Sequence, residues 1–408
     1  MDFREWISDV ATNEWQIFIK RLSANDTGAT KSHQVGIYIP KTVLGIVFPS
    51  INRIDLKNPD AHFNAHVESD AVDEQTLRVI YYNNRFSENI KGGRNEKRIT
   101  RWKDGVDYTP LQDPEKTGAI AIFAFDSKND SDAENMRAWV CRDLEEEEYL
   151  EAQLGEIFPQ DTFFDYGNVV FSSFPITKKI QSEKYPEQWN EVFPTGLEII
   201  QFLHGSGFHS ELEPDKRILK RREHEFNLFK LVEKKHALPL IQAGFNDVEE
   251  FIKLANSISN RRKSRSGKSL ELHLENIFKE QELFEFGTQC KTEGNKRPDF
   301  LFPDAESYHN KEYPTNKLRM LAVKTTVKDR WRQILNEAKR LETSYLFTLQ
   351  QGVSKNQFAE MLDEGVQLVV PLGLHKSYPE EIRNKLMTLE EFIQETKNLY
   401  DVATIGEA

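Results

Sequence analysis

Cysteine is nearly missing from this chain: Cys141 and Cys290 are the two in 408 residues, far apart and each in an apolar neighbourhood. That usage excludes a disulfide-braced secreted scaffold and leads us to expect reduced, buried thiols in a cytoplasmic protein. Long apolar runs are missing too. None approaches the roughly 18 residues a membrane span needs. The N-terminus MDFREWISDVA is amphipathic and acidic, without the cationic start and apolar core of a secretion signal. There is no internal repeat and no low-complexity tract.

Motifs for two familiar chemistries are also incomplete. His62 and His66 stand four apart, but Phe63 occupies the place where a zinc-hydrolase helix carries Glu, and none of the ten histidines forms a convincing metal set. Gly267-Lys268-Ser269 looks like the end of a phosphate-cradling loop, yet the first glycine of that motif would fall on Arg262. A nucleotide triphosphate site is therefore rejected.

Positive charge is short overall, with a formal net charge of -12. Affinity for phosphates depends on where cations cluster, and here they are patched. Lys91 to Lys103 holds six Lys/Arg against Glu96 alone, and Asn260 to Lys268 holds five with no acid. Lys128 to Glu151 compensates with nine acids against three bases, including the run Glu145 to Glu148, which reads as a solvated helix face.

What is present suits a soluble chain of two domains, with 38% hydrophobic residues and 27 Phe for its cores. From residue 1 to about 175 the pattern is mainly β. Strands are expected over Val35–Ile39, Leu44–Phe48, Leu77–Tyr82, Ala119–Phe125, Arg137–Cys141 and Val169–Phe174, with helices at Asp2–Leu22 and Glu146–Ile157. Many short strands of this kind usually close into a barrel. The Pro-bearing stretch 175–195 reads as a linker.

Helices follow at Gly196–Leu203 and Lys216–Val232. In the second, Arg221, Arg222 and Glu225 form a mixed-charge cluster of the kind that reads guanine and cytosine edges, and one that salt-bridge support on an exposed helix explains as well. A helix over Asn246–Asn256 leads into NRRKSRSGKS, expected as a loop whose Arg262, Lys263, Arg265 and Lys268 hold a DNA backbone. Leu270, Leu274, Ile277 and Phe278 then mark a helix passing Glu271.

The richest stretch runs from Lys296 to Glu337. Phe300–Phe302 is an apolar run closed by Pro303, so Asp299 stands at the mouth of a short buried strand. Met320–Val323 is a second such run, ended by Lys324. Trp331, Ile334, Leu335 and Ala338 recur at helical spacing, so a helix is expected from Asp329 to about Thr343, with Glu337 and Arg330 flanking its buried stripe. Two carboxylates and an amine meeting at one edge suit metal-assisted phosphodiester hydrolysis, with Asp299 and Glu337 holding Mg2+ and Lys324 acting on water and phosphate. Arg330 and Lys328 would steady the charged transition state. Salt bridges between a surface Asp, a strand-end Lys and a helix Glu explain the same spacing. Strands at Tyr345–Leu349 and Val366–Pro371 and helices opened by Ser354 and Thr388 complete an α/β pattern.

The runs IKRLSANDTGAT (Ile19–Thr30), RNEKRITRW (Arg94–Trp102), ANSISNRRKSRSGKSLELHLE (Ala255–Glu275), EGNKRPDFLFP (Glu293–Pro303) and LRMLAVKTTVKDRWRQILNEA (Leu318–Ala338) closely resemble the EcoRII family of restriction endonucleases, nearly end to end. The core resembles the PD-(D/E)-x-K pattern with one departure: Ala322 stands two residues before Lys324, and the acid is taken from Glu337 instead.

The resemblance implies an α+β two-domain chain. An N-terminal mainly-β pseudobarrel effector domain (1–174) would grip DNA with arms at about Lys31–Val35 and Arg94–Arg98, using Arg94, Glu96, Lys97 and Arg98. A linker (175–195) and an α/β restriction-endonuclease-like catalytic domain (196–408) would follow. It further implies a homodimeric type IIE enzyme that cuts double-stranded DNA at CC(A/T)GG, is autoinhibited until a second site copy binds, and works beside a cognate DNA methyltransferase that is not a stable partner. Tyr308 matches the family text near Asp299, and is either a substrate contact or a core phenol. The acidic run Glu145–Glu148 is a candidate DNA mimic in autoinhibition. The alternative is a DNA-binding regulator that keeps an inactive nuclease core.

Overall fold

The computed structural model describes residues 1–30, 36–84, 95–126, 131–154, 157, 162–167, 185–245 and 247–400. The expected strand Val169–Phe174, the arm Lys31–Val35, Arg94 and residues 175–184 of the expected linker lie outside them. The chain divides into two compact units. The first comprises Met1–Lys178 with Gln351–Ser354, and the second Lys179–Gln350 with Lys355–Ala408.

In the first unit, α1 (Phe3–Val10) opens on a capping box between Asp2 and Glu5. It is followed by β1 (Trp15–Arg21), β2 (Ile37–Tyr38), α2 (Lys41–Val47), β3 (Asp60–Val67), β4 (Gln75–Tyr82), β5 (Glu96–Thr100), β6 (Ile120–Asp126), β7 (Asn135–Val140), α3 (Leu144–Leu154) and β8 (Thr162–Tyr166). The sheet order is β2-β5-β4-β3-β7-β6-β1-β8, antiparallel throughout except for the parallel β3–β7 pair. One core draws Phe18, Ile37, Phe63, Leu77, Val79, Ile99, Phe123, Phe125 and Met136 from seven strands, so the sheet curls around it. The opposite face carries Ile17, Ile19, Ile120 and Ile122 against Phe3, Trp6 and Val10 of α1 and Leu150 and Leu154 of α3. The period-2 alternation of Ile17, Phe18 and Ile19 between the two cores is what makes β1 a strand.

Three expectations change here. The helix expected to Leu22 stops at Val10, and Leu44–Phe48 falls largely within the helix α2, where Val43, Leu44 and Val47 share a buried face. A short apolar run does not separate strand from helix by itself. The acidic run is solvated only in part: Glu145 and Glu148 are exposed, and Glu146 and Glu147 are not. Glu147 is buried against Arg21 at 2.8 Å, and Glu146 is buried and accepts from Trp139 Nε1 at 3.1 Å.

The second unit has α4 (Gly196–Gly205), α5 (Pro214–Ala243), α6 (Val248–Glu280), β9 (Gly287–Thr288), β10 (Phe300–Phe302), α7 (Ala305–His309), β11 (Arg319–Val323), β12 (Ser344–Phe347), α8 (Lys355–Asp363), β13 (Val366–Val369), α9 (Glu380–Arg383) and α10 (Leu389–Asn398). Its sheet runs β13-β12-β11-β10-β9, antiparallel from β9 to β11 and parallel from β11 to β13. Phe278 of α6 packs edge-on to Phe300 and Phe302, at 5.2 and 5.8 Å between ring centroids, which fixes that helix to β10. Trp189 is buried with Ile199, Leu203 and Phe229, so the end of the expected linker is packed into this unit. NRRKSRSGKS is not a loop. It continues α6 without a break, because a single Gly costs a helix only about 1 kcal/mol and the Arg262–Glu233 pair ties this part of α6 to α5.

Candidate active site

Asp299 sits at the entry of β10 and Lys324 at the exit of β11, as the two apolar runs dictate. Pairing of β10 with β11 brings them together: Lys324 Nζ lies 3.4 Å from Asp299 Oδ2, which also accepts the Val323 N–H at 2.7 Å. Asp299 Oδ1 accepts from Gln289 Nε2 at 2.9 Å, and the same amide donates to Glu271 Oε2 at 3.1 Å. Glu271 comes from α6, one residue beyond buried Leu270. Burial, helped by Asp299, raises its carboxyl above the usual range.

Glu337 arrives differently from expectation. Its segment is a 3-10 helix over Lys328–Ile334 followed by turns, not an α-helix to Thr343. Trp331, Ile334 and Ala338 are buried as the spacing requires, and Glu337 N–H donates to Ile334 O at 2.9 Å. The three-residue step from Trp331 to Ile334 suits the tighter coil, in which i and i+3 eclipse. Val327 N–H is held at 2.8 Å by the Gln350 side chain.

With no long helix beneath it, this stretch is fastened by side chains. Thr292 Oγ1 donates to Glu337 O, Lys339 N–H to Glu293 Oε2 at 3.4 Å, and Arg340 N–H to the Tyr308 hydroxyl at 3.3 Å. Tyr308 is buried and its hydroxyl donates to Glu293. The Arg340 guanidinium closes on carbonyls after α7, among them Asn310 O at 2.7 Å. Thr292, Glu293, Arg340 and Gln289 had no signal in the sequence, being polar loop residues without periodicity.

Burial pushes the Glu337 carboxyl up to about 7, with Asp299 adding to the rise and Lys324 and Lys296 opposing it. Its Oε2 is buried without a hydrogen-bond partner among the described residues. A buried, unpartnered carboxylate oxygen is costly unless a proton or a cation meets it. No group of three His, Cys, Asp or Glu among the described residues could hold an ion unaided. A hard cation that keeps its waters needs fewer, and Asp299 with Glu337 fits such a cation. Lys328 Nζ is likewise buried without a hydrogen-bond partner among the described residues, and Arg330, two residues on in the same 3-10 helix, is half-buried.

The other candidates lie in packed networks. Arg221 is fully buried, and its five N–H groups meet Phe208 O, Asn276 Oδ1, Ser210 Oγ and both Glu280 oxygens at 2.7–3.0 Å, leaving none for a guanine edge. Arg222 and Glu225 are buried 3.2 Å apart, joined by Ser269 and His273. Arg262 makes a two-pronged pair with Glu233 at 2.8 and 2.6 Å. These four therefore serve the α5–α6 interface, a correction to the surface positions expected for DNA contacts. The side chains of Lys263 and Arg265 lie outside the described residues. In the first unit Glu96, Lys97 and Arg98 stand on β5. Arg98 donates to Gly36 O at 2.9 Å and Glu96 at 3.0 Å, and Lys97 is buried with Asn52 Oδ1 at 2.6 Å, where burial and neighbouring Lys41 lower its ammonium to about 8.

Both units have counterparts among known proteins. Residues 11–168 match the family described as "Restriction endonuclease EcoRII, N-terminal", and 229–393 match "EcoRII C terminal". The chain is 48% identical over 401 residues, 98% of each chain, to "Type II restriction enzyme EcoRII" of Escherichia coli. Two solved structures, metal-depleted Ecl18kI with uncleaved, modified DNA and with uncleaved DNA, give TM-scores of 0.43 at 17% identity, covering 54% and 55% of this chain and 83% and 87% of theirs. On the two family matches and the near full-length relative, this chain belongs to the EcoRII family of restriction endonucleases.

Proposed function

We propose that the protein is a Mg2+-dependent type IIE restriction endonuclease that hydrolyses double-stranded DNA at CC(A/T)GG, through a PD-(D/E)-x-K core whose second acid is Glu337. What supports this reading is the Lys324–Asp299 contact at the mouth of the β10–β11 pair, together with Glu337, whose carboxyl both of them shift and whose Oε2 lacks a hydrogen-bond partner among the described residues. Bound Mg2+ supplies a water of lowered pKa and charge for the leaving oxygen. Asp299 and Glu337 would hold it, Glu337 releasing its proton to solvent on doing so. Lys324, tethered to Asp299 Oδ2, orients the attacking water and meets the charge growing on the phosphate. Lys328 and Arg330, on the 3-10 helix, steady the charged transition state, and Lys263 and Arg265 contact phosphates.

The protein acts as a homodimer, because a two-fold assembly suits a nearly symmetric site with one cut per protomer. The first unit, a pseudobarrel of residues 1–174, binds a second copy of the site through Arg94 and Glu96, while Lys97 and Arg98, buried on β5, hold that strand in place. That binding relieves autoinhibition, which requires effector DNA to favour the open form. Glu146 and Glu147 are excluded as the DNA mimic in this regulation by their burial within the first unit.

The test is a plasmid bearing several CC(A/T)GG sites, incubated with Mg2+ and wild type, Glu337→Ala or Lys324→Ala. A ladder from the wild type that is missing in both variants supports the assignment. An uncut plasmid with retained DNA binding would indicate an inactive core.

A further inference from the structure

Gln289 has no part in that chemistry, yet it touches both acids at the mouth of the sheet. Its single amide nitrogen lies 2.9 Å from Asp299 Oδ1 and 3.1 Å from Glu271 Oε2. An amide NH2 has two hydrogens and no charge, so each carboxylate takes one and neither is neutralised. The backbone is arranged to keep the amide there. Gln289 N–H donates to Asp299 O at 3.2 Å, and the residue holds a φ of +50° just after β9, a left-handed conformation uncommon for a side chain of this kind. Two acidic oxygens from different elements, α6 and the entry to β10, thus converge on a point filled by a weak, displaceable donor.

We infer that Gln289 is a positioning residue that acts as a placeholder: its amide gathers Glu271 and Asp299 while no cation is present and leaves when the divalent cation held by Asp299 and Glu337 draws in Glu271 as a further ligand. The inference rests on the nuclease reading for its purpose. The amide keeps two like charges from driving the empty site apart, and a cation competes with it for the same oxygens. Cation binding and amide occupancy therefore oppose each other, so removing the amide strengthens cation binding by the coupling between them. Damage to the site has the opposite sign, which makes the inference separable from a structural role.

The experiment is calorimetric titration of the full-length protein with Mn2+ and no DNA, comparing wild type with Gln289→Ala and the near-isosteric Gln289→Met. We expect Mn2+ to bind about fivefold or more tightly in both variants, and to raise their melting temperature more than that of the wild type. Adding Glu271→Gln to either variant should abolish the gain. Equal or weaker binding in both folded variants, a gain that survives Glu271→Gln, or no binding by any of the proteins overturns the placeholder role. Plasmid cleavage by the wild type is scored separately: a nuclease without the gain rejects only this inference, and a gain without cleavage rejects only the nuclease reading.

Discussion

The α5–α6 interface and the mouth of the β10–β11 pair both hold charged side chains out of water, and they do so in opposite ways. Between the helices, charges are matched: Arg262 with Glu233, Arg221 and Arg217 with Glu280, Arg222 with Glu225. At the strand mouth three acids, Glu271, Asp299 and Glu337, gather near Lys324, which pairs with Asp299, and Glu337 keeps an oxygen with no hydrogen-bond partner among the described residues. A matched network holds helices in register. An unmatched one stores an unmet demand for positive charge, and that demand is what a metal and a phosphodiester would meet.

The contrast is broken most severely by truncating the unmatched site. Lys324→Ala or Glu337→Ala should lower cleavage by roughly a hundredfold or more while leaving the urea midpoint near that of the wild type. A variant that cuts normally removes the strand mouth from the chemistry. Truncating the matched network should do the reverse. Arg262→Ala leaves buried Glu233 with Lys230, at 3.7 Å, as its remaining ion-pair partner in the described network and should cost about 3 kcal/mol in urea unfolding, more than the apolar pair Arg262→Met with Glu233→Leu. If Arg262→Ala instead leaves stability intact and flattens the salt dependence of DNA binding, the arginine belongs to the DNA surface.

Acidity sharpens the comparison with smaller effects. Glu337 binds a proton up to about pH 7, and a cation must displace it, so Mn2+ affinity of the metal-free protein should rise with pH through 7 and level off above it. Glu337→Gln should make that profile flat near 7, as followed by calorimetry. On the helical side, His204 Nε2 lies 3.0 Å from His273 Nδ1. Burial, with His273 and Arg221 adding, lowers His204 to about 3, and burial lowers His273 as well. Each takes up a proton more readily when unfolded. For His204 the stability is full above its unfolded value of about 6.5 and is lost as pH falls from there toward 3. Urea midpoints at pH 7.5 and 5.5 should differ in that direction, and less so in His204→Phe.

How far these two regions were legible in the sequence follows from the same physics. Asp299 and Lys324 were readable because an apolar run closed by proline or by a charge fixes where a buried strand begins and ends. The helix that carries Glu271 was readable from the stripe of Leu270, Leu274, Ile277 and Phe278, though not its contact with Gln289. Glu337 was identified on the wrong element, since Trp331 and Ile334 are spaced as well for a 3-10 turn as for an α-helix, and the Gln350 and Thr292 contacts that shape the segment come from far along the chain. The basic stretch of α6 was misread because Arg, Lys and Ser suit a loop and a helix alike, and the partner that buries Arg262 lies 29 residues away. In the first unit the alternation of β1 was hidden behind an amphipathic start. Gln289 was invisible, as a single amide between two acids leaves no pattern.

The central claim, that Asp299 and Glu337 share a cation beside Lys324, is tested most directly by anomalous diffraction from crystals of the protein grown with Mn2+. The account predicts a peak within about 2.2 Å of one oxygen from each carboxylate, with Lys324 Nζ adjacent. A peak elsewhere, or one that touches Asp299 without Glu337, would contradict it.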